Sequence, residues 1–209
     1  MRIFLLILSL LLPLFASAQN KAHLQRTQKN GLFVESFSVL KSDTSVRDGK
    51  YELKYKNWTI ESGSYRSGKK VGTWTYRNYN KQIELMYNYT LRQPVHILQH
   101  LGKTYDQNNY PCMFLGSPVI PYFFVLSHVY YPKAEENNRS GGSVVLTILV
   151  DKSGQMKGYK IKEATSENFA RVVRQAADKI SSRNWRWIPA LADGKEVDGE
   201  YDITIEFDN

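Results

Sequence analysis

Two histidines, His96 and His100, stand four residues apart, a spacing at which a helix would present two imidazoles to one metal ion. A zinc site needs three or four ligands, and no Asp, Glu or Cys stands beside the pair to complete a set. Surface or half-buried histidines are the simpler reading. Ser127 and His128 are sequence neighbours; adjacent residues on a helix do not face each other, so they form no nucleophile and base. Cys112 is the single cysteine, which excludes a disulfide framework and a Cys-rich zinc site. Free cysteine is among the most buried residue types, so Cys112 is expected in a core. The signatures G-x-S-x-G, H-E-x-x-H, the P-loop and G-x-G-x-x-G do not occur. Acidic residues crowd the C-terminus, but Glu200, Asp202, Glu206 and Asp208 alternate with Tyr201, Ile203, Ile205 and Phe207. That is the pattern of a strand with one wet face, not of a converging acid and base. The chain therefore reads as a non-enzyme with no cofactor and no metal.

Binding remains, and composition bounds the elements that would carry it. A chain of 209 residues permits one or two domains, and 42% apolar with 23% charged residues is globular. Residues 1–18 stand apart. Arg2 supplies a positive start, Ile3 to Leu12 is an apolar run, Pro13 breaks it, and Ala16-Ser17-Ala18 precedes Gln19 as a small-residue cleavage signal. This reads as a secretory signal peptide cleaved after Ala18. The stretch Ile3 to Ala18 falls short of the ~20 residues of a spanning helix. Charge is uneven across the rest: 15 Lys and Arg against 7 Asp and Glu in 19–110, and 12 against 13 in 111–209. Two modules with different surfaces follow. The basic residues are dispersed rather than gathered in a stripe, which argues against nucleic acid.

Between residues 31 and 90 apolar and polar residues alternate with glycine punctuation. Phe33, Phe37 and Val39 begin the pattern; Tyr51, Leu53 and Tyr55, then Trp58 and Ile60, then Trp74 and Tyr76, then Ile83, Leu85 and Tyr87 continue it. Period two bounded by Gly, Asn and Ser means strands joined by tight turns, with Asp48-Gly49 and Ser67-Gly68 as turn dipeptides. An antiparallel meander with aromatics along one face is expected over 19–90. Gly63-Ser64-Tyr65-Arg66-Ser67-Gly68-Lys69-Lys70-Val71-Gly72-Thr73-Trp74-Thr75-Tyr76 resembles a MORN repeat, with a partial copy at Asp48-Gly49-Lys50-Tyr51-Glu52. That resemblance implies an interaction or spacing role, with Trp74 and Tyr76 packing rather than binding ligand.

Residues 91–110 are mixed and polar and read as a connector. In 111–209, Pro118 or Pro121 suits the first turn of a short amphipathic helix. Ser143 to Val150 is a nearly continuous apolar run, expected as a strand covered on both faces. The turn Asp151-Lys152-Ser153-Gly154 leads to a second strand over Met156–Glu163. Ser166 is a fair N-cap for a helix whose inner face is Phe169, Val172, Val173, Ala176 and Ile180. Asp193-Gly194 turns into the last strand, Tyr201 to Phe207. The fold class is α+β, a meander followed by a ββαβ unit.

The second unit resembles the C-terminal domain of the TonB family. Tyr131-Pro132 with Ala134, Gly142 before the apolar strand, Asp151 to Gly154, Trp187 with Pro189-Ala190, and Gly194-Lys195 with Val197 carry the likeness. The resemblance implies a hairpin, a helix and a third strand. It also implies binding of an extended segment, the TonB box of outer-membrane receptors, as a strand beside the domain's last strand, near a Gln-Tyr-Pro element. By that resemblance the binding residues are Tyr130, Tyr131, Pro132, Tyr201, Ile203 and Ile205. The Gln of Gln-Tyr-Pro is Tyr130 here, and the segment ahead of the domain is the glycine-aromatic meander instead of a membrane helix and Pro-rich spacer.

The expected protein is a periplasmic interaction module that binds a protein or peptide partner, such as a TonB-dependent outer-membrane receptor, by strand addition. Two other uses of the same features are open: pairing of the last strand with a second copy in a homodimer, and an envelope scaffold whose basic first module meets cell wall or anionic lipid. The leader reading is tested by the intact mass of the exported protein. A chain beginning at Gln19 is expected, and retention of Arg2 would contradict it.

Overall fold

The computed structural model describes residues 22–99, 104–138 and 141–208. The leader and its Ala18 cleavage point lie outside these residues, as does His100. Seven strands, β1 (His23–Asn30), β2 (Phe33–Leu40), β3 (Arg47–Tyr55), β4 (Trp58–Arg66), β5 (Lys69–Arg77), β6 (Ile83–Asn88) and β7 (Gln93–Ile97), each pair antiparallel with the next to form one sheet. Ser67 and Gly68 both take positive φ, 48° and 79°, the geometry that turns a two-residue hairpin with the strand twist.

Asp48-Gly49, expected as a turn, instead lies inside β3. The Asp48 carboxylate accepts the Ser67 amide at 2.9 Å and is hydrogen-bonded to His23 at 2.8 Å. Gly49 takes φ 103° where the β2–β3 register shifts between Phe37 and Val39. The β4–β5 turn and strand β1 claim the carboxylate that would otherwise have closed a turn, and the dipeptide becomes a bulge. His96 sits in strand β7, so it takes no part in a helical metal pair.

One face of the meander is aromatic. Phe37, Tyr51, Trp74, Tyr76 and Leu85 are buried there together, and Tyr51 and Tyr65 lie 5.0 and 5.2 Å from the Trp74 ring centre. Trp74 covers the backbone of β4 at Gly63, where an added Cβ would come within 2.2 Å of the indole. Gly63 and Trp74 are thus two halves of one contact, since only a residue without Cβ lets the ring lie flat on the neighbouring strand.

The remaining elements are β8 (Met113–Phe114), α1 (Val119–Leu126), α2 (Lys133–Asn138), β9 (Gly142–Val150), β10 (Met156–Ala164), α3 (Glu167–Asp178), β11 (Trp187–Ile188), β12 (Ala190–Ala192), β13 (Lys195–Val197) and β14 (Gly199–Phe207). Three of these strands make an antiparallel sheet in the order β10-β9-β14. Ser166 caps α3 by accepting the Phe169 amide. The helix lays Phe169, Val172, Val173 and Ala176 against Val144, Leu146, Ile148 and Val150 of β9. The other face of β9, expected to be covered as well, carries no helix among the described residues. Val145 and Leu149 are half-buried there and Thr147 is buried. Three ion pairs reach across it: Lys157–Asp198, Lys160–Glu200 and Lys162–Asp202, at 3.1, 2.6 and 2.8 Å. Lysine stems shade the apolar residues while their ammonium groups stay wet, which is why a strand apolar on both sides needs only one packed face.

The two modules share packing. Tyr110, Met113, Leu115 and Ile188 lie on the aromatic cluster of the meander. Helix α1 places Val119, Ile120 and Phe123 against Tyr55 and Ile60, with the Phe123 and Tyr55 rings stacked at 4.4 Å, while Val125 enters the second core. Buried Glu61 of β4 accepts the Ser117 amide at 2.8 Å, and the Ser117 hydroxyl donates to the Arg77 carbonyl at 2.6 Å. Cys112 is buried at this junction, against Gly199 at the start of β14.

Gly63→Ala is expected to cost about 2–3 kcal/mol, because the added methyl overpacks Trp74. Gly158→Ala, where space is open and φ ordinary, is expected to stay within about 0.5 kcal/mol of the parent. Urea unfolding followed by tryptophan fluorescence measures both, and equal effects would contradict the assigned Gly63–Trp74 contact. Burial pushes the Cys112 thiol up to about 12. A disulfide reagent at pH 8 is therefore expected to leave it unmodified until denaturant is added; rapid labelling of the native chain would contradict its place in the core.

Candidate functional site

The strand order leaves β14 at one edge of its sheet. Its whole length from Gly199 to Phe207 runs in unbroken antiparallel register with Val150 to Gly142 of β9. Among the described residues, no backbone hydrogen bond joins this strand to any other element. Alternate peptide groups of an edge strand point away from its ladder, so β14 carries a row of N–H and C=O groups aimed outward.

A groove of about 670 Å³ follows that edge. Tyr201 and Ile203 reach it from the core face of β14, and Asp202, Thr204 and Glu206 from the open face. It therefore runs beside the strand instead of over one face. Pro111, Cys112 and Met113 with Val119 and Tyr122 of α1 form one side. Tyr79, Glu84, Ile97 and Tyr105, from the meander and the segment after it, form the wall opposite. The first module thus borders the open edge of the second.

The expected binding residues fall in four places. Ile203 and Ile205 are buried on the core face, and of the two Ile203 borders the groove. Tyr131 and Pro132 lie in packed surroundings away from the groove. The Tyr131 ring meets Phe169 and Phe207 edge-on at 5.6 and 6.0 Å, and Phe169 stacks on Phe207 at 4.3 Å. This bolts the N-terminal end of α3 to the last residue of β14. Pro132 is buried, with its carbonyl accepting the Glu135 amide. Tyr130 is exposed, its hydroxyl 3.5 Å from Gln175 of α3. Tyr201 lines the groove with Ile203, and of the two it is the less buried. Tyr130 and Tyr201 are therefore not brought together into one cluster.

The electrostatics of the edge are acidic. Burial opposes the charge of Asp202, but bonds from Lys162 and Thr147 outweigh it and hold its carboxyl below the usual carboxylate range. Burial, with Glu84 and Cys112 nearby, raises the Tyr201 phenol above its ordinary value. Burial raises the Tyr122 phenol too, helped by Tyr79 and by the carboxylates of Glu206 and Asp208. Both phenols are neutral donors at physiological pH. No Lys, Arg or His is among the described residues that line the groove.

Glu84, Tyr105 and Tyr122 were missed by sequence reasoning. They come from separate elements, and no local pattern in the chain marks them as neighbours of the last strand. Among the described residues no group of three or more His, Cys, Asp and Glu is arranged to hold a metal ion, and no helix is long and apolar enough to cross a membrane.

No curated protein matches the chain. Residues 127–208, from the end of α1 to the end of β14, match the family described as the Gram-negative bacterial TonB protein C-terminal, a family of non-catalytic, periplasmic protein-interaction domains.

Proposed function

We propose that this protein is an exported, periplasmic interaction protein that accepts an extended segment of another protein as a fourth strand on β14. The observation that carries the reading is the edge of β14 beside a groove, with no partner strand among the described residues. Strand addition draws affinity from main-chain hydrogen bonds and specificity from pockets for alternate side chains. The edge supplies the first, and Tyr201, Tyr122 and the Cys112–Met113 segment supply the second. The segment meant is of the TonB-box kind carried by outer-membrane receptors. Ile203 and Ile205 contribute backbone, Tyr201 contributes a side chain, Tyr131 braces the strand's far end and Pro132 holds the entry to α2. The MORN-like meander is a second contact surface, because its residues border the same groove.

The test is hydrogen exchange of the full chain with peptides from the periplasm-facing N-terminal segments of such receptors. Saturable binding in the micromolar range is expected, with new protection confined to Gly199–Phe207. Absence of binding at millimolar peptide, or protection elsewhere only, would overturn the reading.

A further inference from the structure

The sheet already shows what chemistry β14 accepts across its surface. Its open face presents Glu200, Asp202, Thr204 and Glu206 in alternation. Two of these acids are matched by lysines of β10, which reach over the intervening β9: Lys160 to Glu200 and Lys162 to Asp202. The ladder thus reads acid on one strand and base on another, with apolar residues beneath. Among the described residues no strand pairs with the other side of β14, and the groove there is lined by the carboxylates of Asp202 and Glu206.

A second copy of the chain fits this edge poorly. In an antiparallel pairing of β14 with itself that keeps Ile203, Ile205 and Phe207 on one face, each register centred on Asp202, Ile203 or Thr204 sets carboxylates opposite each other. The pairs are Asp202 on Asp202, Glu200 on Glu206, and Asp202 on Glu206 respectively. Like charges directly opposite destabilise a ladder, and opposite charges support it.

We infer that the β14 edge is built for a basic partner strand, an extended segment with Lys or Arg at alternate positions on the open face and apolar or aromatic residues between them. The basic residues stand opposite Asp202, Thr204 and Glu206; the apolar ones turn toward Cys112, Val119 and Tyr122. This rests on the strand-addition reading and adds the partner's chemistry to it. Charge complementarity selects the segment, while the backbone ladder holds it.

The experiment compares two synthetic peptides on the full chain, one alternating Lys with Val and Tyr, the other with Glu in place of every Lys. Affinity is read by fluorescence anisotropy and the site by exchange of the β14 amides. The Lys peptide is expected to bind about tenfold more tightly, from pairs with Asp202 and Glu206 and from the like-charge repulsion that the Glu peptide meets at the same two positions. The preference should shrink in high salt. Glu206→Lys should narrow or reverse it, circular dichroism confirming that this exposed change leaves the fold intact. Equal or better binding of the Glu peptide, with β14 protected, would overturn the basic partner and leave strand addition standing. Protection of β14 by neither peptide, with the receptor-derived peptides also failing, would overturn both.

Discussion

The last strand of a three-stranded sheet has to leave half of its peptide groups pointing away from the ladder. A buried peptide group without a partner costs free energy, so such an edge must be wetted, covered or paired with something else. β14 is neither short nor interrupted by proline, and it runs in register over its full length beside β9. It is blunted only by the charges on its open face, Glu200, Asp202 and Glu206. Those charges discourage a copy of the same strand and leave the backbone accessible to a different one. The edge is thus protected against self-association by the same residues that give it a preference.

The rest of the molecule holds that edge in place and gives it a border. Phe169, Phe207 and Tyr131 fix the far end of β14 to α3. Cys112 packs against Gly199 at the near end. Helix α1 joins the two cores, with Phe123 on Tyr55 in the meander and Val125 in the second module. The Glu61–Ser117 bond is a further tie, in which a buried carboxylate accepts a backbone amide. Burial raises the pKa of Glu61, so the bond comes with an electrostatic cost that the surrounding packing has to offset. Because the modules share this packing, the meander wall stands at a fixed distance from β14. The groove is then a property of the joined modules, not of the TonB-like domain by itself.

Much of this was legible in the chain. Period-two alternation at Tyr51–Tyr55, Trp74–Tyr76 and Tyr201–Phe207 marked strands correctly, and Ser166 with Phe169, Val172, Val173 and Ala176 marked α3. Strand β1 was hidden because His23–Asn30 is exposed on both faces and has no apolar period; only its ladder with β2 makes it a strand. β7 was hidden in the segment read as a connector, where Pro94 argues against a strand and is tolerated at a sheet edge. Asp48-Gly49 misled because a turn dipeptide and a bulge dipeptide share their chemistry, and only the distant Ser67 amide decides between them. At the site, the last strand and its alternation were readable, but the groove was not. Its wall is Glu84, Ile97 and Tyr105, whose nearness to Asp202 and Glu206 is a consequence of how two modules pack. The acids of β14, expected as a solvated face, do lie exposed, and their ion pairs with lysines of β10 are what the sequence alone did not display.

The claim on which this depends is that one side of β14 has no ladder in the free protein. Residue-resolved hydrogen exchange of the full chain without any ligand tests it most directly. An open edge predicts a period-two record along Gly199–Phe207, slow for amides bonded to β9 and fast for those between them. Uniformly slow exchange along the strand would mean that both sides are already paired, and would contradict the account.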